Sequence, residues 1–207
     1  MTEVYLASRS PRRRDLLRQI GVRFEPLLLR LVQPRGPDID ETPHAGETAA
    51  AFAARVASAK ARFGLEVLGM RNLAARPVLA ADTVVAVDGE ILGKPADRAE
   101  AAAFLRRLAG RTHEVRTFVA LASGSPARLE LLSAVSVSTV RFAPLTERQV
   151  ERYCAGGEPY DKAGGYAIQG MAAVFVEHLE GSYSGVMGLP LFETAQLLRQ
   201  ARIADLP

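Results

Sequence analysis

The chain predicts an α/β protein with a mixed sheet, because segments of strand and helix character alternate along most of its length. Three local signals carry that prediction. Residues 77–87 form an apolar, β-branched run closing on the hairpin dipeptide Asp88-Gly89, residues 48–63 form an alanine-rich amphipathic stretch, and Asp97/Glu100 and Thr146/Gln149 are spaced as helix caps. At 207 residues and 48% hydrophobic content, the chain can bury one substantial core, arranged as one or two lobes, and it shows no internal repeat.

Residues 3–7 read as a short apolar strand delivering the chain to a helix with Ser10 as N-cap, Pro11 at the first helical position and Gly21 beyond its end. Free amides at that N-terminus, with Arg12 and Arg13 beside them, make an anion cradle; an ordinary capped helix with arginines facing water is the plainer alternative. Residues 24–29 read as a second strand and 34–46 as a polar loop rich in proline. In the 48–63 helix, for which Gly64 is the stop signal, Phe52, Val56, Lys60 and Phe63 share a stripe. Lys60 sits at its edge, either pointing across a cleft or snorkelling to water.

The 77–87 strand carries one charge, Asp82, followed by Thr83. A carboxylate between Val78-Leu79-Ala80-Ala81 and Val84-Val85-Ala86-Val87 is costly to bury unless it meets a metal, a cation or several donors. A helix capped by Asp97 runs to Gly110, residues 113–123 and 129–142 form a long hairpin across Gly124-Ser125-Pro126, and Thr146 caps a short helix. After a glycine-rich segment come a hairpin around Glu180-Gly181 and a last helix over 191–202.

Composition excludes several classes. Cys154 is the single cysteine, so no internal disulfide exists, and it falls in an amphipathic helix as a packing residue. Arginines at 9, 12, 13 and 14 stand where a signal peptide needs its apolar core, and no apolar run reaches membrane-spanning length. A cytoplasmic protein without membrane attachment is expected. The net charge of +3 is too small to argue for nucleic acid, yet residues 1–37 hold a local +5 just before Asp38-Ile39-Asp40-Glu41. Such a juxtaposition suits an anion with its metal ion, although ordinary charge scatter explains most of these arginines. There is no complete P-loop, no GxGxxG and no HExxH, and His44, His113 and His178 are scattered.

Only three of the 26 basic residues are lysines, and all three lie in segments suited to phosphate: Lys60, Lys94 in Gly93-Lys94-Pro95, and Lys162 in Asp161-Lys162-Ala163-Gly164-Gly165. Together with Arg12, Arg13, the acidic 38–41 segment, Asp82 and Asp161, they suit a polyphosphate bound with a divalent metal, a carboxylate activating water. Each residue taken alone is a surface charge or a turn; the combination carries the argument.

The segments Leu6-Ala7-Ser8-Arg9-Ser10-Pro11-Arg12-Arg13, Asp38-Ile39-Asp40-Glu41, Ala81-Asp82-Thr83-Val84-Val85, Leu92-Gly93-Lys94-Pro95, Asp161-Lys162-Ala163-Gly164-Gly165-Tyr166-Ala167-Ile168-Gln169-Gly170 and Gly188-Leu189-Pro190 resemble the Maf family. The motifs stand in family order with no large insertion. The resemblance implies a single domain over 1–207, Maf/ITPase-like: a twisted mixed sheet flanked by helices, two lobes and a nucleotide cleft between them. It implies a hydrolase of nucleotide metabolism that converts a nucleoside triphosphate to the monophosphate and pyrophosphate with Mg²⁺ or Mn²⁺, and a homodimer as one oligomeric state open to the chain. Asp82 takes the proton-acceptor position, Ser8, Ser10, Arg12 and Arg13 the phosphate-binding turn, and Lys60 and Lys94 the cleft lysines. Lys162 either contacts substrate or braces Asp161 and the glycine turn. Glu41 is the candidate metal ligand, with Asp82 and Asp40 beside it.

Arg12, Thr83 and Gln169 resemble the subgroup acting on dTTP and UTP, where the subgroup acting on 7-methyl-GTP tends to have tryptophan, glutamine and glutamate. An amide at 169 offers donor and acceptor to the imide edge of uracil or thymine, whereas a carboxylate only accepts and suits the adjacent N–H donors of guanine. Gln169 as a structural amide of its turn is the alternative. The competing functional class is a non-catalytic nucleotide-binding regulator of septum formation. The embedded Asp82 favours turnover over pure binding.

Overall fold

The computed structural model describes residues 3–29, 39–125, 128–204 and 206. Asp38, the 34–38 part of the proline-containing loop and Pro126 of the expected turn lie outside the described residues. Strands β1 (Val4–Leu6), β2 (Phe24–Pro26), β3 (Val78–Val87), β4 (Glu90–Leu92), β5 (Thr112–Ser125), β6 (Arg128–Phe142) and β7 (Val176–Glu180) make one sheet. Its order is β2-β1-β3-β5-β6-β7, with β4 also paired to β3. β1 runs parallel to β2 and β3 and the other pairs are antiparallel, so the sheet is mixed, as expected.

Helices α1 (Pro11–Gln19), α2 (Ala49–Met70), α3 (Arg98–Leu108), α4 (Glu147–Cys154), α5 (Tyr183–Met187) and α6 (Leu191–Gln200) flank it. On one face, Ala57, Ala61, Leu65 and Leu68 of α2 pack on Tyr5, Val78, Ala80, Ala120 and Ala122. On the other, Leu16 and Leu17 of α1 and Leu197 and Leu198 of α6 pack on Val4, Leu6, Leu79, Val119 and Leu121. A further core joins Leu105 and Leu108 of α3 and Val150 and Tyr153 of α4 to Val85, Val115, Val140 and Phe142. The long strands β3 and β5 thus run through two lobes.

The edge of β3 opposite β5 explains where the cleft lies. β1 pairs with Val78 and Leu79, and β4 pairs with Val85 to Val87. Between these two stretches β5 continues on one side of β3, but no described strand covers the other. Asp82 and Thr83 occupy that gap.

The caps at Ser10, Asp97 and Thr146 form as the sequence predicts, and Thr48 caps α2 in the same way, each side-chain oxygen accepting an amide of the first turn. Three expectations are corrected. Gly64 does not stop α2, which continues to Met70; glycine stands there because a Cβ would lie 2.6 Å from Cγ1 of buried Val78. β2 ends at Pro26, after which Leu27 and Leu29 turn into the core under α2 instead of continuing the ladder. Glu180-Gly181 is not a hairpin: Gly181, at φ 108°, directs β7 into α5, whose N-cap Ser182 accepts from the Gly185 amide at 2.9 Å. Cys154 is buried in α4, and burial pushes its thiol up, in keeping with a packing role.

His113 of β5 is 3% exposed, edge-on to Phe142 and Tyr166. Its Nε2 lies 2.8 Å from the Tyr166 hydroxyl, and its Nδ1 has no hydrogen-bond partner among the described residues. Burial pushes its pKa from 6.5 down to about 4. The unfolded chain therefore binds the extra proton between these values, so this contribution to stability is complete above 6.5 and is lost as pH falls towards 4. Urea unfolding over that range should show wild type losing on the order of 3 kcal/mol relative to His113→Phe, at about 1.4 kcal/mol per pH unit. Parallel profiles for the two proteins refute the assignment.

Candidate active site

Consecutive residues of a strand face opposite sides of the sheet, so Asp82 and Thr83 head two different clusters at the same gap. Asp82 turns towards α2. Lys60 of α2 points inward and does not snorkel to water; its Nζ lies 2.9 Å from Asp82 Oδ1 and 3.0 Å from Glu41 Oε1. The side chains of Lys60 and Asp82 are each 12% exposed, so the costly carboxylate has found its cation. Asp82 Oδ2 carries no hydrogen bond among the described residues.

Glu41 is held there by an arginine that sequence reasoning missed. Arg55, on α2, donates to the Asp40 carbonyl at 3.0 Å, the Thr42 carbonyl at 2.9 Å and both oxygens of Glu47, clamping the chain on either side of Glu41. Asp40 is not brought to the same point. Its carboxylate accepts the Thr42 amide at 2.9 Å, which holds it below its ordinary pKa, and it faces His44. Among the described residues no three acidic, histidine or cysteine side chains form a metal cluster. Glu41 and Asp82 alone flank one cationic point. Two hard carboxylate oxygens beside a cluster of cations fit a magnesium-type ion, which takes few protein ligands and completes its shell with other oxygens.

Thr83 turns towards α1 and α5. Arg13 is partly buried there, its Nε donating to the Gly188 carbonyl at 2.6 Å, Nη1 to Ser8 Oγ at 3.3 Å and Nη2 to Thr83 Oγ1 at 3.1 Å. Burial pushes its pKa below the ordinary guanidinium value, with Asp82 opposing that shift and Arg12 adding to it. Ser8 Oγ also accepts the Ser10 amide at 3.2 Å. Ser8, Ser10 and Arg13 are thus one folded turn, as the sequence suggests.

The glycine-rich segment supplies the remaining wall. Arg12 Nη1 bonds Asp161 Oδ2 at 3.1 Å, and Lys162 donates to Asp161 and, at 2.6 Å, to the Glu158 carbonyl. Burial acts to raise Asp161, but these two cations outweigh it and hold the carboxyl below its ordinary pKa. Lys162 braces its own turn, whereas Lys94 is exposed and has no ion pair among the described residues. The Glu158 carboxylate, also missed from sequence, accepts the Met171 amide at 2.9 Å, the Ala172 amide at 3.2 Å and the Tyr153 hydroxyl at 2.8 Å. It fixes the turn beyond Gln169. Gln169 makes no hydrogen bond among the described residues and faces the cleft, so the alternative of a turn-bonding amide is not what the structure shows.

Arg12, Arg13, Glu41, Lys60, Asp82, Lys94 and Gln169 line one cleft of about 860 Å³, whereas Arg55 and Glu158 lie outside its lining and hold the segments that do. It is a site rich in cations, with the buried Asp82, the partly exposed Glu41 and one free amide, of a class suited to a polyanionic ligand. The family model for Maf-like protein matches residues 3–201, and the chain belongs to that family. A dTTP/UTP pyrophosphatase of Aromatoleum aromaticum is 54% identical over 94% of this chain and 93% of its own length. Those of Nitrosomonas europaea and Bordetella avium are 50% and 52% identical, each over 97% of this chain and 95% and 96% of their own. Among solved structures, the Ham1 protein of Staphylococcus aureus matches with a TM-score of 0.43 at 17% identity, over 68% of this chain and 71% of that one.

Removing the shared cation isolates two carboxylates. Lys60→Met should therefore destabilise the metal-free protein by about 2–4 kcal/mol, below the full penalty for breaking a buried pair because Glu41 is partly solvated. Denaturant midpoints test this, and an unchanged midpoint shows that the pair contributes nothing to the fold.

Proposed function

We propose that this chain hydrolyses dTTP and UTP to the monophosphate and pyrophosphate. The observation that carries the reading is Asp82: a buried carboxylate, one oxygen on Lys60 and the other open, at the centre of a cleft whose walls supply phosphate-binding cations and a free amide. The names of the relatives at 50–54% identity support the same substrates.

The geometry supports the following roles. Arg13, Ser8 and Ser10 in their turn, with Arg12 and Lys94, hold the triphosphate. Three of the five Arg13 N–H groups are bound, leaving two for phosphate oxygens. Glu41 and Asp82 would hold the divalent ion, which supplies charge neutralisation for the phosphates. Asp82 orients a water and accepts its proton as the water oxygen bonds to the α phosphorus. The bond from that phosphorus to the bridging oxygen breaks, and pyrophosphate leaves. Lys60 sits within reach of the same region and offsets the carboxylate charge. Gln169 presents donor and acceptor to the imide edge of the base.

Product analysis with UTP and Mg²⁺ tests the reaction. UMP with pyrophosphate is expected; UDP with phosphate excludes it, and intact UTP points to a nucleotide-binding regulator. Asp82→Asn should lower kcat by about 10²–10⁴-fold, with UTP affinity in calorimetry changed little. Unchanged turnover removes Asp82 from the proton transfer.

Gln169→Glu should reduce kcat/KM for UTP and dTTP by roughly tenfold while sparing purine triphosphates, because one donor to the base is lost. Equal losses on pyrimidines and purines contradict the base-reading role.

A further inference from the structure

Thr117 is the cross-strand partner of Thr83 and is fully buried, on a face of β5 otherwise lined by Val115, Val119 and Leu121. Its Oγ1 donates to the Gly185 carbonyl at 2.7 Å, and a carbonyl oxygen can only accept. Thr117 has one hydroxyl hydrogen, and it is committed to that bond. The 2.9 Å contact between the two threonine oxygens therefore has Thr83 as donor and Thr117 as acceptor. With its hydrogen so committed, Thr83 Oγ1 presents a lone pair to Arg13 Nη2 at 3.1 Å.

The direction of every bond in this chain is fixed from its far end. Gly185 orients Thr117, Thr117 orients Thr83, and Thr83 orients one fork of Arg13, whose Nε is held by Gly188. Both carbonyls belong to α5 and its C-cap, so one short element anchors both sides of the guanidinium. Were the Thr83 hydrogen free to rotate, it would compete for the position facing Arg13 and repel its N–H.

We infer that Thr117 is a positioning residue for phosphate binding, acting through Thr83 on Arg13. The inference rests on Arg13 binding phosphate, as proposed above.

Pyrophosphate is the appropriate probe because it carries phosphates and no base. In Thr117→Val, which keeps the shape and removes the hydroxyl, KM for UTP and Ki for pyrophosphate should rise together by about three- to tenfold. The ratios of kcat/KM among UTP, dTTP and 7-methyl-GTP should stay as in wild type, and Thr117→Ser should restore both constants. Thr83→Val should give the same pattern, and the Thr83→Val/Thr117→Val double variant should be no worse than Thr83→Val alone, since both act in one chain. The inference is overturned if Thr117→Val lowers only the melting temperature, if the two effects add, or if the nucleotide ratios shift. Arg13→Met separates the premise from the inference: an unmoved pyrophosphate Ki in that variant removes Arg13 from the phosphate site, whatever the threonines do.

Discussion

A carboxylate in the middle of an apolar strand has to be offset where it stands, and the contact between Asp82 and Lys60 does this. The rest of the site depends on it. Asp82 is tolerable only because α2 lies close enough for a four-carbon side chain to reach it. α2 lies that close because its inner face is built from Ala57, Ala61 and Gly64, with room at Gly64 for Val78. Small residues on the helix and a charge on the strand are two aspects of the same approach.

The missing strand neighbour gives this pair its use. Had β1 or β4 extended along the edge of β3, Asp82 and Thr83 would lie deep in a continuous ladder with no space beside them. Because β1 pairs only as far as Leu79 of β3 and β4 only from Val85 onward, the strand edge itself opens on the cleft. The alternation of a strand then sorts the chemistry: Asp82 with Lys60 and Glu41 on one face, Thr83 with Arg13 and Ser8 on the other. On the proposed roles, water activation and phosphate binding are thereby kept in separate hydrogen-bond networks only one residue apart in sequence.

Much of this is legible in sequence, for identifiable reasons. Local signals carried the caps, the Asp88-Gly89 hairpin and the long β5–β6 hairpin, because each depends on residues a few positions apart. Asp82 was legible because an isolated charge in an apolar run has no structural explanation. The extent of α2 was not, since glycine serves both as a stop and as a place of close approach, and only the position of Val78 distinguishes the two. Arg55, Glu158 and Thr117 were missed because each acts in part on backbone groups, which sequence does not mark. Thr117 did leave one trace. It is a hydroxyl among Val115, Val119 and Leu121 on the buried face of a strand.

The uneven use of arginine and lysine also acquires a structural account. Arg13 and Arg55 each make three or more directed bonds, several to carbonyls, and these need a planar fork fixed in orientation. They shape the walls and, once placed, have little freedom to move. Lys60 and Lys94 are different: one shares its ammonium between two carboxylates, and the other is exposed without an ion pair among the described residues. An ammonium keeps its interaction as it swings, because its donors rotate and its charge is compact. A site whose phosphate charge arrives and leaves in each cycle needs cations of both kinds, fixed ones to define where the anion sits and adjustable ones to follow it. With 23 arginines in the chain, the three lysines mark places where orientation is less valuable than reach, and two of them stand at the open cleft, with the third bracing the turn that closes it.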